Sequence, residues 1–566
     1  MEKLVELGIR SELRDGLQQI LGSKFTQLTR IQESSIESML SGQDVVAQSP
    51  TGSGKTLAYL LPGLELLCRE EAKRTPWSIG LLVVVPTREL ARQVAAVAEA
   101  LGGGVGLRVF APTGGAKLPD LVARFKEKGG NVVVATPGRL LELLTDGKKA
   151  GCDFAGHLRS LALLVLDETD RLFQHDHKEK MSRILHHLPK QRRTGLFSAT
   201  QLSDDEELRI TGLRNPRHIS VAASASSQGE VLTPSQLANF YLIVPDAWKL
   251  GVIAKLAQER LAQSKAAVFL PTCACVEYVE AALRLLLPPS ITLLGLHGKK
   301  RKQREKLFNK FRAAPAAILV CTDVFARGID IPGVEWVLQL GPPRETLWFV
   351  HRAGRTGRAG AAGNSLLLLS PSEQAYIPFL QSQTGVELQP LSPLQEELDE
   401  AGAEKLCSRL RARALKDREF LESGTKAFVS FVQAYLKHDC RLVCSLKSLD
   451  VVGLMHGFGL VRVPKMPELC GRDLSDFRRV QVNTAEVKYR NKTKEATRQL
   501  KLKQRSQENE ERRQEDARKA QEVARKKEGK KRPNDKDLGE LDDDYRLIKK
   551  LRRKKLSKAE FDAQFA

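Results

Sequence analysis

The feature that most constrains this chain is a repeated unit: a short apolar run, a polar turn, then a stretch with helical spacing. In residues 1–220 the runs are Asp44-Val45-Val46-Ala47, Leu81-Leu82-Val83-Val84-Val85, Asn131-Val132-Val133-Val134 and Leu163-Leu164-Val165-Leu166. Runs without polar alternation are strands buried on both faces, and such strands belong to parallel sheets flanked by helices. The unit stops at residues 221–236, where Ala, Ser and Gly predict a flexible hinge. It restarts with Ala266-Ala267-Val268-Phe269-Leu270, Ala317-Ile318-Leu319-Val320 and Trp336-Val337-Leu338-Gln339. The expected fold is α/β: two tandem parallel-sheet domains over 1–220 and 237–384, a mainly helical extension over 385–487, and a basic tail over 488–566.

Charge narrows the class of partner. The chain carries a formal +22, and residues 488–566 hold 27 Lys+Arg against 16 Asp+Glu, which is +11, half of the total. Such a balance points to a polyanion, without separating nucleic acid from an anionic membrane. The tail is almost free of aromatics and predicts disorder or a solvated single helix. The nine cysteines form no CxxC pair and read as reduced thiols. No run approaches the ~20 apolar residues of a membrane span, so a soluble intracellular monomer is expected.

Two motifs carry phosphate chemistry. Ser49-Pro50-Thr51-Gly52-Ser53-Gly54-Lys55-Thr56 comes directly after one strand and opens a helix. Glycines there let backbone N–H groups wrap phosphate oxygens, Lys55 reaches the β/γ-phosphates, and the Thr56 hydroxyl faces Mg²⁺. Asp167-Glu168-Thr169-Asp170 succeeds the run ending at Leu166. Asp167 is expected in the Mg²⁺ shell, with Glu168 orienting or deprotonating the attacking water. His175-Asp176-His177 lacks a third ligand nearby and reads as an exposed loop, not a metal site.

Short motifs in both domains extend this pattern: Pro86-Thr87-Arg88-Glu89-Leu90-Ala91, Thr136-Pro137-Gly138-Arg139, Ser198-Ala199-Thr200 and His351-Arg352-Ala353-Gly354-Arg355-Thr356-Gly357-Arg358. With the phosphate loop and the acidic turn, they resemble the DEAD-box helicases over residues 20 to about 370. Thr169 stands where the family name has Ala, and Arg301 where the partner of Arg304 is usually Gln. The resemblance implies two RecA-like domains and an ATP-dependent RNA helicase using ATP and Mg²⁺. It implies that Phe25, Thr29 and Gln32 recognise adenine, with the Gln32 amide reading the base edge. No aromatic precedes Phe25 in the chain, which leaves that ring as the stacking candidate. RNA contacts are implied for Pro86, Thr87, Arg88, Gly115, Thr136, Pro137, Gly138 and Arg139 in the first domain. In the second domain the same holds for His297, Gly298, Thr322 and Asp323. Gly328 and Asp330 would touch ATP, while Ser198, Thr200 and His351 would couple the domains. Arg355 and Arg358 would reach the γ-phosphate as arginine fingers.

Beyond the two domains, the segments around 426–435 and 457–469 and the basic tail resemble the extension of one nucleolar branch. That branch acts in large-subunit ribosome assembly and is related to the yeast suppressor of poly(A)-binding-protein mutation. It implies pre-ribosomal RNA and pre-60S particles as partners, a protein activator, and a nuclear, nucleolar location. The helical stripe at 426–435 is expected to dock on the second domain. The run Lys526–Pro533 reads as a nuclear signal or an RNA tether. A competing reading is an ATP-gated RNA clamp that needs little turnover.

Overall fold

The computed structural model describes residues 1–22, 27–50, 52–71, 74–173, 175–199, 209–221, 225–226, 229–230, 236–261, 263–298, 303–323, 333–357, 362–391, 400–481, 483–528, 545–546 and 549. Strands β1 (Val45–Gln48), β2 (Leu81–Val84), β3 (Val109–Phe110), β4 (Val132–Ala135), β5 (Leu163–Asp167), β6 (Arg193–Ser198) and β7 (Arg217–Ser220) form the first sheet. Their order is β3-β4-β2-β5-β6-β1-β7, and every pairing is parallel.

Successive side chains of a strand point to opposite faces, and here each face has its own core. Leu81, Val83, Val132, Val134, Leu163 and Val165 enter one cluster with helices Ser11–Leu21, Lys55–Arg69 and Arg88–Gly102. Leu82, Val84, Val133, Leu164 and Leu166 enter the other, with Phe125, Leu140 and Met181. Double burial is why these runs carry no polar alternation.

Within the expected hinge, β8 (Ala225–Ser226) and β9 (Gly229–Glu230) pair antiparallel. Residues 222–224, 227–228 and 231–235 of it lie outside the described residues. The second sheet contains β10 (Leu237–Ile243), β11 (Lys265–Leu270), β12 (Thr292–Leu296), β13 (Ala317–Thr322), β14 (Val334–Gln339), β15 (Gly363–Leu369) and β16 (Gln389–Pro390). It is again wholly parallel, in the order β12-β13-β11-β14-β15-β10-β16.

One face of this second sheet closes on a small cluster around Phe269, Phe311 and Leu319. The other face shares a single core with helices Glu400–Lys416, Arg418–Tyr435 and Val451–Gly457. Helix Arg418–Tyr435 lies on helix Cys273–Leu286. Its Gly424 permits this approach, because a Cβ there would meet Phe458 O at 3.0 Å and Tyr278 Cε2 at 3.1 Å. Tyr278 packs against Phe420 and Phe458 at ring distances of 5.1 and 5.5 Å.

Polar contacts tie the same seam. Ser430 Oγ lies 2.7 Å from Thr272 Oγ1, and Asp439 accepts from Thr346 N and Oγ1 at 2.6 and 2.9 Å. Tyr435 donates to Glu373 Oε1 at 2.9 Å, while Glu373 Oε2 and Asp246 flank Lys249 Nζ at 3.3 and 2.6 Å. All three charges are buried. The two carboxylates hold the ammonium charged against the cost of burial, and that ammonium keeps Glu373 below the usual carboxylate range.

Residues 488–566 form a separate unit. Its helix Lys492–Glu528 is polar all round and exposed along most of its described side chains, the second of the two states, disorder or a solvated single helix, that the composition allows. His175-Asp176-His177 corrects one expectation: it opens helix His175–His187, so it is not a loop. No group of three metal-ligating side chains occurs among the described residues.

Candidate functional site

The sheet order of the first domain places three loops side by side at the carboxyl ends of β5, β6 and β1, where open α/β sheets bind ligands. The loop after β1 is the phosphate loop, and helix Lys55–Arg69 begins at its end. Gly52 and Gly54 have φ of 84° and 89°, a region that L side chains rarely adopt. Ser49 N donates to Ser198 O at 3.1 Å, which fixes this loop to the end of β6. Lys55 Nζ donates to Ser49 O and Pro50 O at 2.5 and 2.9 Å. Loss of water lowers its pKa to about 8, against the opposing pull of Asp167 and Glu168.

Gln32 and Thr29 grip the loop from the helix Arg30–Leu40. Thr29 N donates to Gln32 Oε1 at 2.9 Å and Gln32 N to Thr29 Oγ1 at 3.4 Å, a reciprocal cap. Thr29 Oγ1 then donates to Ser53 O at 3.0 Å, and Gln32 Nε2 to Gly54 O at 3.2 Å. The Gln32 amide keeps one N–H and one oxygen lone pair beyond these bonds, the pair of groups an adenine edge requires.

Asp167 ends β5, and its two oxygens point to different partners. Oδ2 accepts from Tyr59 Oη at 2.9 Å, and Oδ1 from Glu168 N at 2.9 Å. Burial and the neighbouring Glu168 raise its pKa to about 6. Glu168 stands at φ 52°, ψ 52°, a left-handed conformation costing a non-glycine residue about 1–3 kcal/mol. This turn leaves Glu168 Oε2 buried with no hydrogen-bond partner among the described residues. Thr169 is fully buried, and its hydroxyl donates between Leu166 O and Phe197 O at 2.9 and 3.2 Å. The sheet itself thus absorbs the departure from Ala.

The second domain meets this acidic turn. His351 Nε2 lies 3.2 Å from Asp170 Oδ2, and both side chains are buried. Arg171 lies over the Trp348 ring at 5.7 Å. Arg355 is buried, donates through Nε to His351 O at 3.3 Å, and is near enough to Lys55 to help lower its pKa. Arg352 is the largest fully buried side chain. It binds both carboxylate oxygens of Asp323, one at 2.8 Å, and lies over Phe269 at 5.7 Å. Asp323, expected among the RNA contacts, is thereby anchored within its own domain.

The remaining first-domain motifs occupy the other half of the same edge, after β2, β3 and β4. Thr87 caps helix Arg88–Gly102 by accepting from Leu90 N at 3.3 Å. Arg88 lies against the Gly114–Gly115 turn, where a Cβ on Gly114 would meet its Nη2 at 2.1 Å. Arg139 reaches the same turn, donating to Ala116 O at 3.0 Å and to Glu142 at 2.6 Å. Thr136 and Pro137 open the helix that carries Gly138 and Arg139. In the second domain, buried His297 lies 3.5 Å from Glu277, Gly298 is next in the chain, and Thr322 ends β13. Phe25, Thr51, Thr200, Gly328, Asp330 and Arg358, with the side chain of Arg304, lie outside the described residues.

Comparison with known proteins decides the family. Residues 29–208 match the family described as DEAD/DEAH box helicase, and 248–360 the helicase conserved C-terminal domain. The human ATP-dependent RNA helicase DDX55 is 42% identical over 574 residues, covering 96% of this chain and 93% of that protein. The chain belongs to the DEAD-box RNA helicases. The zebrafish (Danio rerio) DDX55 helicase is 40% identical, over 98% of this chain and 95% of its own. Residues 417–466 match the C-terminal extension described for ATP-dependent rRNA helicases of the SPB4-like type. Among solved structures, Mss116p bound to ssRNA and AMP-PNP superposes with a TM-score of 0.68 at 25% identity. That match covers 81% of this chain and 89% of Mss116p.

Three residues that build this helicase's site carry no motif of their own in the sequence, Tyr59, Arg171 and Trp348; a fourth, Arg352, lies in a motif but carries no expected role there. For Tyr59 a signal existed, since it lies three and four residues after Thr56 and Lys55 and so shares their helix face.

Proposed function

We propose that this helicase is an RNA-stimulated ATPase that remodels pre-ribosomal RNA during assembly of the large ribosomal subunit, in the nucleolus. The observation that carries the reading is the extension. A segment of the SPB4-like rRNA-helicase type is built into the core of the second domain, beside the Thr272 loop.

The chemistry rests on the placement of charge. Lys55 and the glycine turns receive the nucleotide phosphates, and Gln32 reads adenine with its two spare groups. Asp167 and Thr56 offer hard oxygen donors at one loop base, a set that fits Mg²⁺. The cation would neutralise charge developing on the phosphates. Glu168, strained toward the cleft with one oxygen unspent, orients the attacking water. Arg355 brings positive charge from the other domain, together with Arg358, so hydrolysis depends on the two domains meeting. RNA gripped by Arg88, Gly115, Pro86, Thr87, Thr136 to Arg139, His297, Gly298 and Thr322 spans both domains and favours that meeting. Contacts of this kind read sugar and phosphate, so a sequence preference is not expected. A protein activator and pre-60S particles complete the setting.

Steady-state ATPase assays with structured ribosomal RNA, with single-stranded DNA and with Glu168→Gln test the proposal. Strong stimulation by RNA, little by DNA, and loss of turnover in Glu168→Gln are the expected results. Negligible turnover under all conditions, with ATP-dependent RNA retention intact, would replace the enzyme with a clamp.

A further inference from the structure

Tyr59 is a phenol on the buried, mostly apolar side of helix Lys55–Arg69, with no exposure to solvent. Its ring rests on Phe197 of β6, with centroids 5.1 Å apart. Its hydroxyl donates to Asp167 Oδ2 at 2.9 Å, and Thr56 precedes it by three residues on the same helix. A buried phenol needs one partner to be satisfied, and packing alone would accept phenylalanine here. Instead its oxygen binds one of the two side chains to which the proposed function gives the cation, one helical turn from the other.

We propose that Tyr59 is a positioning residue for the magnesium–nucleotide complex: its phenol oxygen fixes the Asp167 carboxylate in one orientation beside Thr56. The geometry divides the groups cleanly. Asp167 Oδ2 receives the Tyr59 proton and Oδ1 the Glu168 N–H, so rotation of the carboxylate breaks a bond at either end. Phe197 holds the ring from behind, and β6 is the strand whose end, Ser198, is bonded to the phosphate loop. Tyr59 therefore links the phosphate loop, the acidic turn and the Ser198 loop through one side chain.

This inference rests on the assignment of Asp167 and Thr56 to Mg²⁺, and the test separates the two. Binding of a fluorescent ATP analogue to the full chain is titrated with MgCl₂ in the absence of RNA, for the wild type, Tyr59→Phe and Asp167→Asn. Loss of one hydrogen bond to a charged group corresponds to about a tenfold rise in the Mg²⁺ needed for half-saturation in Tyr59→Phe. Nucleotide affinity in EDTA stays near wild type, and the variant keeps a cooperative thermal transition. An unchanged Mg²⁺ requirement in Tyr59→Phe, with a raised one in Asp167→Asn, overturns the role of Tyr59 alone. If Asp167→Asn also leaves the requirement unchanged, the magnesium assignment beneath it falls.

Discussion

The two sheets of this helicase share a strand count and an all-parallel pairing, yet they are completed differently. The first carries helices of its own sequence on both faces, and its two cores close within residues 1–221. The second closes one face in the same way, but on the other its own helices, Cys273–Leu286 among them, share one core with helices beyond residue 400. The difference bears on where function can vary. In the first domain the strand ends are free to hold nucleotide and RNA loops, because nothing else is needed to keep the sheet covered. In the second, the loop after β11 carries Thr272, which is hydrogen-bonded to the extension through Ser430. The loop at that strand end and a helix of the extension are therefore one structure there, and the extension cannot be removed as an appendage.

The sharpest way to break this contrast is truncation. Ending the chain at Leu391 uncovers Tyr278, Val279, Leu250 and Leu270, which face Phe431, Leu454 and Phe458 of the extension. At roughly 1.5–3 kcal/mol for each buried side chain, the loss rivals the whole stability of a domain, about 5–15 kcal/mol. Circular dichroism and proteolysis should find the second domain of that truncation unfolded, whereas a fragment of residues 1–221 folds. A stably folded second domain without the extension would erase the distinction.

A smaller effect is expected at the seam's buried charges. Lys249→Met leaves Asp246 and Glu373 buried without their cation, which costs about 3–5 kcal/mol. Urea melts of the full chain should show that loss in the second-domain transition and leave the first unchanged. The smallest effect is expected at Thr169→Ala. It removes one hydroxyl bond at the end of β5, about 1 kcal/mol, and ATPase activity should persist. A large loss of activity there would mean that the hydroxyl does more than satisfy two carbonyls.

Much of this was legible in the sequence, for a reason visible in the packing. Strands β2, β4, β5 and β13 read directly because residues of each face enter separate cores, leaving no polar positions. β6 did not, because Arg193, Thr194 and Gly195 open it; Gly195 lies where the Met39 side chain packs, 2.4 Å from the position a Cβ would take. β7 is an edge strand with three of its four residues exposed, so it has no apolar signature. The phosphate loop and acidic turn were readable as local patterns. Contacts that shape them were not: Tyr59 and Asp167 are 108 residues apart, and His351 and Asp170 are 181 apart. Arg352 shows the same limit, since it reads as one more basic residue in a basic turn yet is buried and bound to Asp323.

In the proposed mechanism, the catalytic site is complete only when the second domain supplies charge to a nucleotide bound on the first. Arg355→Ala tests this most directly, with nucleotide affinity measured without RNA and ATP turnover measured with saturating RNA. Near wild-type affinity is expected, because the phosphate loop is intact, together with a fall in RNA-stimulated kcat of about 10³-fold or more. An RNA-stimulated kcat within a few fold of wild type would contradict it.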